Sequence, residues 1–442
     1  MEETGRAVVV GAGIAGLLAA RALSDVFERV AVIDRDVLTA GATGRRGVPQ
    51  GPHAHALLAG GTAALEHLLP GLGDELVAGG AVRADLQHDL RWYSGDHRLR
   101  AGRPRLEGVG VSGVALERAV RDRVRALPGV TIIGACDVVG LTSAPGRDLV
   151  TGVRLLPRAD SAAETRLAAD LVVDAGGRAS RTPAWLEEMG YQRVPEESVE
   201  IGLACVTRHY RREPHHLDGG LGAVAGFHPG TRRGGCVIAQ EGDRFAVTVA
   251  GVLGEHPPGD HAGLLAFAES LPGGEVAEVV RTAQPLDDPV RMSWPRHTRR
   301  YYERVRRFPD GLLVLGDALC TFNPLHGQGA SVAALEAQLL ARLLAHGTDR
   351  LARRFFRAAA SLVHGPWSIG RGTDLRFPEL GGRRTAAARL VAAYLDRYRA
   401  AAAGDPVLGG ALVRVFALTS PPARLFAPDL VARVLRHRAG SR

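Results

Sequence analysis

An apolar strand and an amphipathic helix stand at the beginning of the chain. The segment AVVVGAGIAGLLAARAL, residues 7–23, passes from three valines through a glycine-rich turn into a helix with apolar residues at helical spacing. The glycines follow the spacing G-x-G-x-x-G, at Gly11, Gly13 and Gly16. The first would permit a tight turn, the second a close approach to a pyrophosphate, and the third close packing of helix on strand. This pattern predicts the first unit of a dinucleotide-binding fold.

A second strand follows this helix and ends in an acidic residue. The segment VAVID, residues 30–34, is typical of a short buried strand, and Asp34 lies about 20 residues beyond the glycine turn. A carboxylate there would accept hydrogen bonds from the ribose of an adenosine, while the helix N-terminus would face the pyrophosphate. NAD and FAD share this arrangement, so the motif predicts a dinucleotide without choosing between them.

A second strand–turn–helix unit occupies residues 311–344. Its apolar run GLLVL leads into GDALCTFNPLHGQG, residues 316–329. The helix that follows has an apolar stripe made of Val332, Leu335, Leu339 and Leu343. Asp317 is placed to bind a polyol hydroxyl, and Gly327 and Gly329 would let the next helix N-terminus face an anionic or electron-rich group. A ligand that reaches both turns must be long, which favours FAD over a nicotinamide cofactor.

The rest of the chain has a different pattern. SVEIGLACVTRHYRR, from residue 198, and GCVIAQEGDRFAVTVAGV, from residue 235, alternate as strands with one covered face do. From residue 346 onward the pattern is that of amphipathic helices. We therefore predict an α/β fold with three parts. These are a discontinuous Rossmann-like FAD-binding domain (1–80, 108–192 and 300–345), an inserted substrate-binding β-sheet domain (81–107 and 193–299) and a C-terminal helical cap (346–442).

Composition narrows the class of protein. The chain has 442 residues, 46% of them hydrophobic, and no apolar run of membrane-spanning length, which predicts a globular cytoplasmic protein. All 55 basic residues are arginine, and despite a net charge of +8 no nucleic-acid-binding motif accompanies them. The four cysteines lack CxxC spacing, and His53 and His55 lack a third ligand at useful spacing. Neither nucleic acid, nor a membrane, nor a metal is expected as a partner.

The turn GDALCTFNPLHGQGAS resembles the GD motif of group A FAD-dependent monooxygenases, which have the p-hydroxybenzoate hydroxylase fold. Three further segments support the resemblance, and they favour the bacterial flavin epoxidase subgroup that includes the polyether epoxidases. They are GRRGVPQGPHAHALLAGG at 44–61, LVVDAGGRASRTPAWL at 171–186 and GPWSIGRGTDLRFP at 365–378. The resemblance runs along nearly the whole chain and implies FAD as the cofactor.

The resemblance also implies roles for individual residues. Its cofactor contacts are Gly11, Gly13, Ala15, Gly16, Asp34, Arg35, Arg45, Gln50, Val138, Asp317, Gly327, Gly329 and Ala330. Asp317 would hold the ribityl chain, and Pro324 would lie beside the isoalloxazine, where the helix dipole stabilises negative charge on the reduced flavin. His326 would line the substrate side of the flavin. Pro324 and His326 are thus the candidate catalytic residues.

Two departures from the family pattern leave roles open. The usual Asp-Gly pair aligns with Gly176 and Gly177, and Asp174 lies two residues upstream. Electrons from NAD(P)H could therefore arrive directly or through a partner flavin reductase. Gly113 stands where many relatives have a flavin-contacting arginine, for which Arg118 is a nearby substitute.

Five other residues have both a structural and a functional interpretation. His53 and His55 lie in a loop that the family places near the flavin. There they would contact cofactor or substrate, or form hydrogen bonds within the loop. Trp367, Asp374 and Arg376 match a local family pattern, either as a brace between the C-terminal region and the flavin lobe or as catalytic groups.

The resemblance implies a reaction carried by the cofactor. A flavin C4a-hydroperoxide would epoxidise or hydroxylate an electron-rich alkene or aromatic ring of a secondary-metabolite intermediate, with molecular oxygen as co-substrate. The protein would orient a small apolar, polyketide- or terpenoid-like substrate and exclude water. The absence of a clear base in the sequence favours an alkene. The alternative is a flavoprotein reductase or oxidase that acts on a double bond without inserting oxygen. Both a monomer and a homodimer are compatible with the sequence.

Overall fold

Strands and helices alternate along the part of the chain that the computed structural model describes, residues 5–38, 45, 47–159, 163–228, 230–380 and 386–437. The strands are β1 Arg6–Val10, β2 Arg29–Ile33, β3 Ala56–Leu57, β4 Val82–Asp85, β5 Leu90–Ser94, β6 His97–Arg98, β7 Glu107–Gly110, β8 Val130–Ile133, β9 Cys136–Ser143, β10 Val150–Pro157, β11 Thr165–Ala168, β12 Leu171–Asp174, β13 Glu196–Val199, β14 Leu203–Arg211, β15 Gly222–Ala225, β16 Arg233–Gln240, β17 Arg244–Gly251, β18 Val290–Trp294, β19 His297–Arg300 and β20 Leu312–Val314. The α-helices are α1 Ile14–Leu23, α2 Ala59–Leu68, α3 Leu72–Ala78, α4 Gly113–Arg125, α5 Thr182–Glu188, α6 His261–Glu269, α7 Glu275–Thr282, α8 Gly329–Leu344, α9 Leu351–Asp374, α10 Ala386–Ala402, α11 Pro406–Phe416 and α12 Pro428–Arg436.

A five-stranded parallel sheet, in the order β20-β12-β1-β2-β8, brings the two predicted strand–turn–helix units together. Val10 at the end of β1 pairs with Asp174 of β12, which in turn pairs with Val314 of β20. The turns after β1 and β20 therefore leave the same carboxyl edge of the sheet, separated by the width of one strand. Ligands of open α/β sheets bind at such an edge.

Helix α8 is more deeply buried than its apolar stripe predicts. Val332 and Leu339 are buried, whereas Leu335 and Leu343 are partly buried. The helix packs against α1, α2 and α9, so that residues outside the stripe, among them Glu336, are enclosed as well. These contacts hold α8 against α1 and against the turn after β20.

A seven-stranded sheet, in the order β18-β14-β17-β16-β15-β5-β6, forms a second layer and is antiparallel except where β15 meets β5. The expectation of one covered face is wrong for its central strands. Seven of the eight residues of β17 are buried, on both faces, because α6 and α7 pack against the strands on one side. Buried polar residues on these strands, including Thr207 and Thr248, therefore have to find partners inside the protein.

The C-terminal helices divide between the two lobes. Helix α9 packs against α8 and β20, whereas α10, α11 and α12 pack on one another and α10 reaches β6. The predicted α/β architecture, with a parallel sheet, an added antiparallel sheet and C-terminal helices, is confirmed. The residue limits of the three predicted domains stay a prediction. In the described residues no helix combines the length and the apolarity that crossing a membrane requires.

Candidate cofactor and substrate site

One cavity of about 1060 Å³ extends from the carboxyl edge of the parallel sheet to the face of the seven-stranded sheet. The turns after β1 and β20 both line it, as do the loop after β2 and the loop after β12. Every residue that the sequence predicts as a cofactor contact lines this cavity except Gly16. Pro324 and His326 line it too. The fold thus collects residues from distant parts of the chain around a single space.

The three glycines of the first turn differ in what surrounds them. Gly11 has a φ of +99°, which favours glycine, and a Cβ added there would press on the Ala175 carbonyl. A Cβ on Gly16 would overlap the carbonyl oxygen of Gly11, so this glycine permits the contact between helix and strand. A Cβ on Gly13 would meet no atom within 4 Å. Gly13 therefore leaves open space in the cavity beside the N-terminus of α1, as an approaching phosphate would need.

Asp34 lies beside this turn, and protein groups already occupy most of its acceptor positions. Its Oδ2 accepts hydrogen bonds from Ala12 N at 2.7 Å and Arg45 Nη2 at 2.5 Å, and its Oδ1 accepts one from Asp36 N at 2.8 Å. A carboxylate offers about four lone-pair positions, so one remains for a ribose hydroxyl. Arg45 also donates to Glu117 Oε1 at 2.8 Å. Burial alone would lower the pKa of Arg45, but the carboxylates of Glu117 and Asp34 outweigh it and raise that pKa.

The second turn presents an unpaired carboxylate to the cavity. Asp317 makes no hydrogen bond to a described residue through its side chain, and burial raises its pKa to about 6, although Arg178 opposes that shift. Arg178 itself lies with its guanidinium carbon 3.7 Å from the centre of the Trp294 ring. A Cβ on Gly327 or Gly329 would meet no atom within 4 Å. The turn therefore has free space, a free acceptor and a helix N-terminus, which suit a polyol and a flat ring.

His326 lies between the cavity and helix α9. The turn Pro324–His326 begins at Asn323, whose Oδ1 accepts a hydrogen bond from Leu325 N at 3.1 Å. A Cβ added at Gly370 of α9 would lie 3.7 Å from His326 Nε2, so one edge of the imidazole faces the helix. That nitrogen is buried and has no hydrogen-bond partner among the described residues. Burial lowers the pKa of His326 to about 4, and the ring is neutral near pH 7.

A buried polar brace ties the second turn to α9. Asn323 Nδ2 donates to Asp374 Oδ1 at 3.4 Å, and the other oxygen of Asp374 lies 3.3 Å from His297 Nε2. The Trp367 ring meets His297 edge-on at 5.3 Å. Burial raises the pKa of Asp374 to about 7, with the Asn323 hydrogen bond opposing the shift. Trp367 and Asp374 do not line the cavity, so their geometry favours the structural interpretation; Arg376 does line it.

His53 and His55 line the cavity and also form hydrogen bonds within the protein. His53 Nδ1 lies 2.6 Å from Thr207 Oγ1, which is 2.6 Å from Thr248 Oγ1. His55 Nδ1 lies 3.1 Å from the carbonyl oxygen of Val111. Burial lowers the pKa of both imidazoles, to about 4 for His53. Both are therefore neutral near pH 7, and each is held in a fixed orientation against the cavity.

Neither Arg118 nor Asp174 has a side chain free to contact a cofactor in the cavity, although Asp174 lies on its wall. Arg118 is exposed and does not line the cavity. Asp174 accepts hydrogen bonds from Gly176 N at 2.8 Å, Ser180 Oγ at 2.5 Å and Thr182 Oγ1 at 2.6 Å, so it shapes the loop after β12. Across the described ranges no three His, Cys, Asp or Glu side chains are grouped as a metal site requires.

Comparison with known proteins gives one curated relative and many solved structures of the same fold. Protein Rv3254 of Mycobacterium tuberculosis is 32% identical over 447 aligned positions, which cover 98% of this chain and 93% of the relative. PqsL of Pseudomonas aeruginosa, described as a probable FAD-dependent monooxygenase, is 18% identical over 85% of this chain and 99% of its own, with a TM-score of 0.62. The p-nitrophenol 4-monooxygenase PnpA of Pseudomonas putida is 18% identical over 95% and 99%, with a TM-score of 0.65. No family model matches the chain.

Proposed function

The chain belongs to the family of Protein Rv3254 from Mycobacterium tuberculosis, and from its fold and cavity we propose that it is an FAD-dependent monooxygenase. The name of that relative states no activity. The observation that supports the proposal most is that one cavity joins the glycine turn after β1 to the GD motif after β20. A ligand with a pyrophosphate near one end and a flavin at the other would reach both turns.

The two turns would divide the binding of FAD between them. Gly13 and the N-terminus of α1 would receive the pyrophosphate, and Asp34 would accept one ribose hydroxyl. Asp317 would accept a hydroxyl of the ribityl chain, while Gly327 and Gly329 would let the N-terminus of α8 approach the flavin ring. When bound, FAD supplies the activation of dioxygen and the transfer of one oxygen atom.

The face of the seven-stranded sheet gives the cavity an apolar wall, which supports an apolar substrate. Trp92, Val224 and Ile238 line it, on strands of the seven-stranded sheet, and would exclude water around the reacting atoms. Three of the imidazoles on the cavity, those of His53, His55 and His326, have pKa values lowered by burial, to about 4 for His53 and His326, which makes them weak bases. Hydroxylation of a phenol benefits from a base that takes its proton. We therefore favour epoxidation of an alkene in a secondary-metabolite intermediate over hydroxylation of an aromatic ring.

NAD(P)H is the proposed source of electrons, either directly or through a partner flavin reductase. The loop after β12 would stand where relatives have an Asp-Gly pair, but Asp174 is occupied by three hydrogen bonds within that loop. Mixing the oxidised protein with NADPH or NADH without oxygen decides between the two routes. Rapid bleaching of the flavin supports direct reduction, and bleaching only after a flavin reductase is added supports the partner.

An oxygen pulse tests the proposed reaction without knowledge of the substrate. The purified protein is reduced with dithionite under anaerobic conditions and then mixed with oxygenated buffer in a stopped-flow spectrophotometer. A monooxygenase should show a transient absorbance that belongs neither to reduced nor to oxidised FAD. Direct return of the oxidised spectrum, or no reaction with oxygen, would instead favour a reductase or oxidase. A protein that purifies without FAD and binds none when FAD is added would contradict the proposal altogether.

A further inference from the structure

Two arginines from the C-terminal region lie together on the wall of the cavity. Arg376 follows helix α9, Arg399 lies in α10, and both line the cavity with 18% of their side chains exposed. Both donate to the same oxygen, Oδ1 of Asp396, from Arg376 Nη2 at 2.6 Å and from Arg399 Nη1 at 3.0 Å. Two guanidinium groups therefore share one carboxylate oxygen, and their other nitrogens make no further hydrogen bond to the described part of the chain.

The charges around this pair do not balance. Asp396 is 51% exposed, so solvent screens much of its charge. Burial lowers the pKa of Arg399, and the positive charge of Arg376 lowers it further. Asp96, on the turn between β5 and β6, lines the same cavity, but it is 84% exposed and lies 3.7 Å from His228. This part of the wall therefore carries an excess positive charge.

Apolar side chains line the same cavity as the arginine pair. They are Trp92, Leu99, Phe227 and Phe416, and helix α10, which carries Arg399, packs against β6, the strand that directly precedes Leu99. In such surroundings a guanidinium binds a carboxylate or phosphate more strongly than at an open surface, because water competes less. The remainder of the wall offers contacts to an apolar chain or ring.

A short stretch of the chain connects this arginine pair to the GD motif after β20. Arg376 lies two residues beyond Asp374, which accepts a hydrogen bond from Asn323 in the turn after β20. That short, braced connection holds Arg376 in a defined position relative to Pro324 and His326. If the arginines bind one end of a substrate, they therefore determine how far the other end of that substrate reaches toward the GD motif.

We propose that Arg376 and Arg399 form an anion subsite that binds a carboxylate or phosphate at one end of an otherwise apolar substrate. This proposal rests on the monooxygenase function, because it assumes that the substrate lies in the same cavity as FAD. It narrows the substrate to amphipathic acids and makes the two arginines determinants of specificity. Their role is to orient the apolar part toward the reacting atoms.

Titration calorimetry on the FAD-loaded protein tests the subsite with three ligands of one chain length: octanoate, octyl phosphate and octanamide. We expect at least one anion to bind about tenfold more tightly than the neutral amide, as charge-assisted hydrogen bonds imply. The comparison of octanoate with octyl phosphate identifies the preferred anion. In the double variant Arg376→Met and Arg399→Met the preference should disappear, while binding of octanamide stays the same.

Arg281→Met is the matched control, because Arg281 of α7 pairs with Glu269 of α6 at 2.6 Å and both side chains are about half exposed. This variant should keep the preference for the anion. Equal affinity for all three ligands in the parent protein, or an unchanged preference in the double variant, would overturn the subsite. Calorimetry needs no turnover, so its outcome is independent of the oxygen pulse. An anion preference without the flavin transient would refute the monooxygenase alone.

Discussion

The two turns at the carboxyl edge of the parallel sheet differ in how their ionisable side chains are paired. Beside the turn after β1, the buried side chains of Asp34 and Arg45 pair with each other, and each has further partners at hydrogen-bond distance. Around the turn after β20, the residues that the structure describes offer no hydrogen-bond partner to the Asp317 carboxylate, to Oε1 of Glu336 or to Nε2 of His326. One turn is an electrostatic frame that is complete before any ligand binds. At the other turn, burial shifts the pKa of each ionisable group in the direction that favours its neutral form.

This difference matches the two ends of FAD. Burial raises the pKa of Glu336 to about 8 and that of Asp317 to about 6, and it lowers that of His326 to about 4. Each shift disfavours the charged form. Near pH 7 Glu336 and His326 are therefore neutral, which suits a flat ring system and an apolar substrate, while Asp317 stays largely ionised as an acceptor. The turn after β1 offers backbone donors and space to a pyrophosphate.

The largest expected loss of stability comes from removing the buried cation beside the first turn. Arg45→Met would leave Asp34 and Glu117 without their shared cation, although Arg121 still reaches Glu117 at 2.9 Å. Removing one partner of a buried ion pair costs about 3–5 kcal/mol. We expect a loss of that order in the free energy of unfolding, measured by urea titration. The control Arg281→Met, in an exposed pair, should cost about 1 kcal/mol or less. Equal losses of unfolding free energy in the two variants would show that the buried ion pairs of Arg45 contribute no more than an exposed pair.

A smaller effect is expected from two glycine variants in the same turn, one of which tests packing and the other ligand binding. In Gly16→Ala the new methyl group overlaps the Gly11 carbonyl, and overpacking of this kind costs up to about 3 kcal/mol. In Gly13→Ala the methyl group enters open space in the cavity, so stability should change little while FAD affinity falls. Urea titration and FAD titration of both variants check this. If Gly13→Ala unfolds as readily as Gly16→Ala, the assignment of Gly13 to the ligand is wrong.

The third prediction tests whether the Glu336 carboxyl beside the second turn is protonated near neutral pH. Glu336 is fully buried, and its Oε2 accepts a hydrogen bond from Gly316 N at 2.6 Å. Its folded-state pKa of about 8 exceeds the ordinary value of 4.5, so the stability that it contributes is complete below about pH 4.5 and is lost as the pH rises toward 8. Glu336→Gln keeps an acceptor and cannot ionise.

Relative to this variant, the parent protein should lose about 2 kcal/mol between pH 6 and pH 8, because one pKa unit corresponds to about 1.4 kcal/mol. Urea titrations at four pH values measure the difference, and the subtraction removes the contributions of the other titrating groups. A difference that stays constant with pH would show that Glu336 is ionised throughout.

The smallest effect on stability is expected at His326. Phenylalanine in its place removes an unpartnered buried nitrogen, so unfolding should change by less than about 1 kcal/mol. Because the ring lines the cavity, we expect the rate at which oxygen reoxidises the reduced flavin to change at unchanged FAD content. Stopped-flow absorbance and flavin quantification measure both. Loss of FAD with an unaltered rate per bound flavin would assign His326 to the scaffold.

Local patterns predicted much of the fold, and distant contacts account for what they missed. The glycine spacing and the apolar runs of β1 and β20 depend on neighbouring residues, so the sequence displays them directly. The hydrogen bond between His53 and Thr207 joins residues 154 positions apart, and no spacing rule reveals it. Arg178 on Trp294 and the grouping of Arg376 with Arg399 also require the folded chain.

Burial of polar side chains was equally hard to foresee. Glu336 follows directly after one member of the apolar stripe of α8, where a glutamate is normally solvent-exposed. It is enclosed because three helices pack around α8, an arrangement that depends on the order of strands in the sheet. The strands of the second sheet were expected to have one open face, because α6 and α7, which cover that face, lie elsewhere in the sequence.

The most direct test of the central claim compares the binding of FAD with that of its two halves. Calorimetry on protein freed of flavin would measure affinities for FAD, for ADP, which carries the pyrophosphate and ribose, and for FMN, which carries the ribityl chain and ring. If one ligand spans both turns, FAD should bind at least about 100-fold more tightly than either half, because linkage makes the second contact intramolecular. Affinity for ADP or FMN equal to that for FAD would contradict a ligand shared by the two turns.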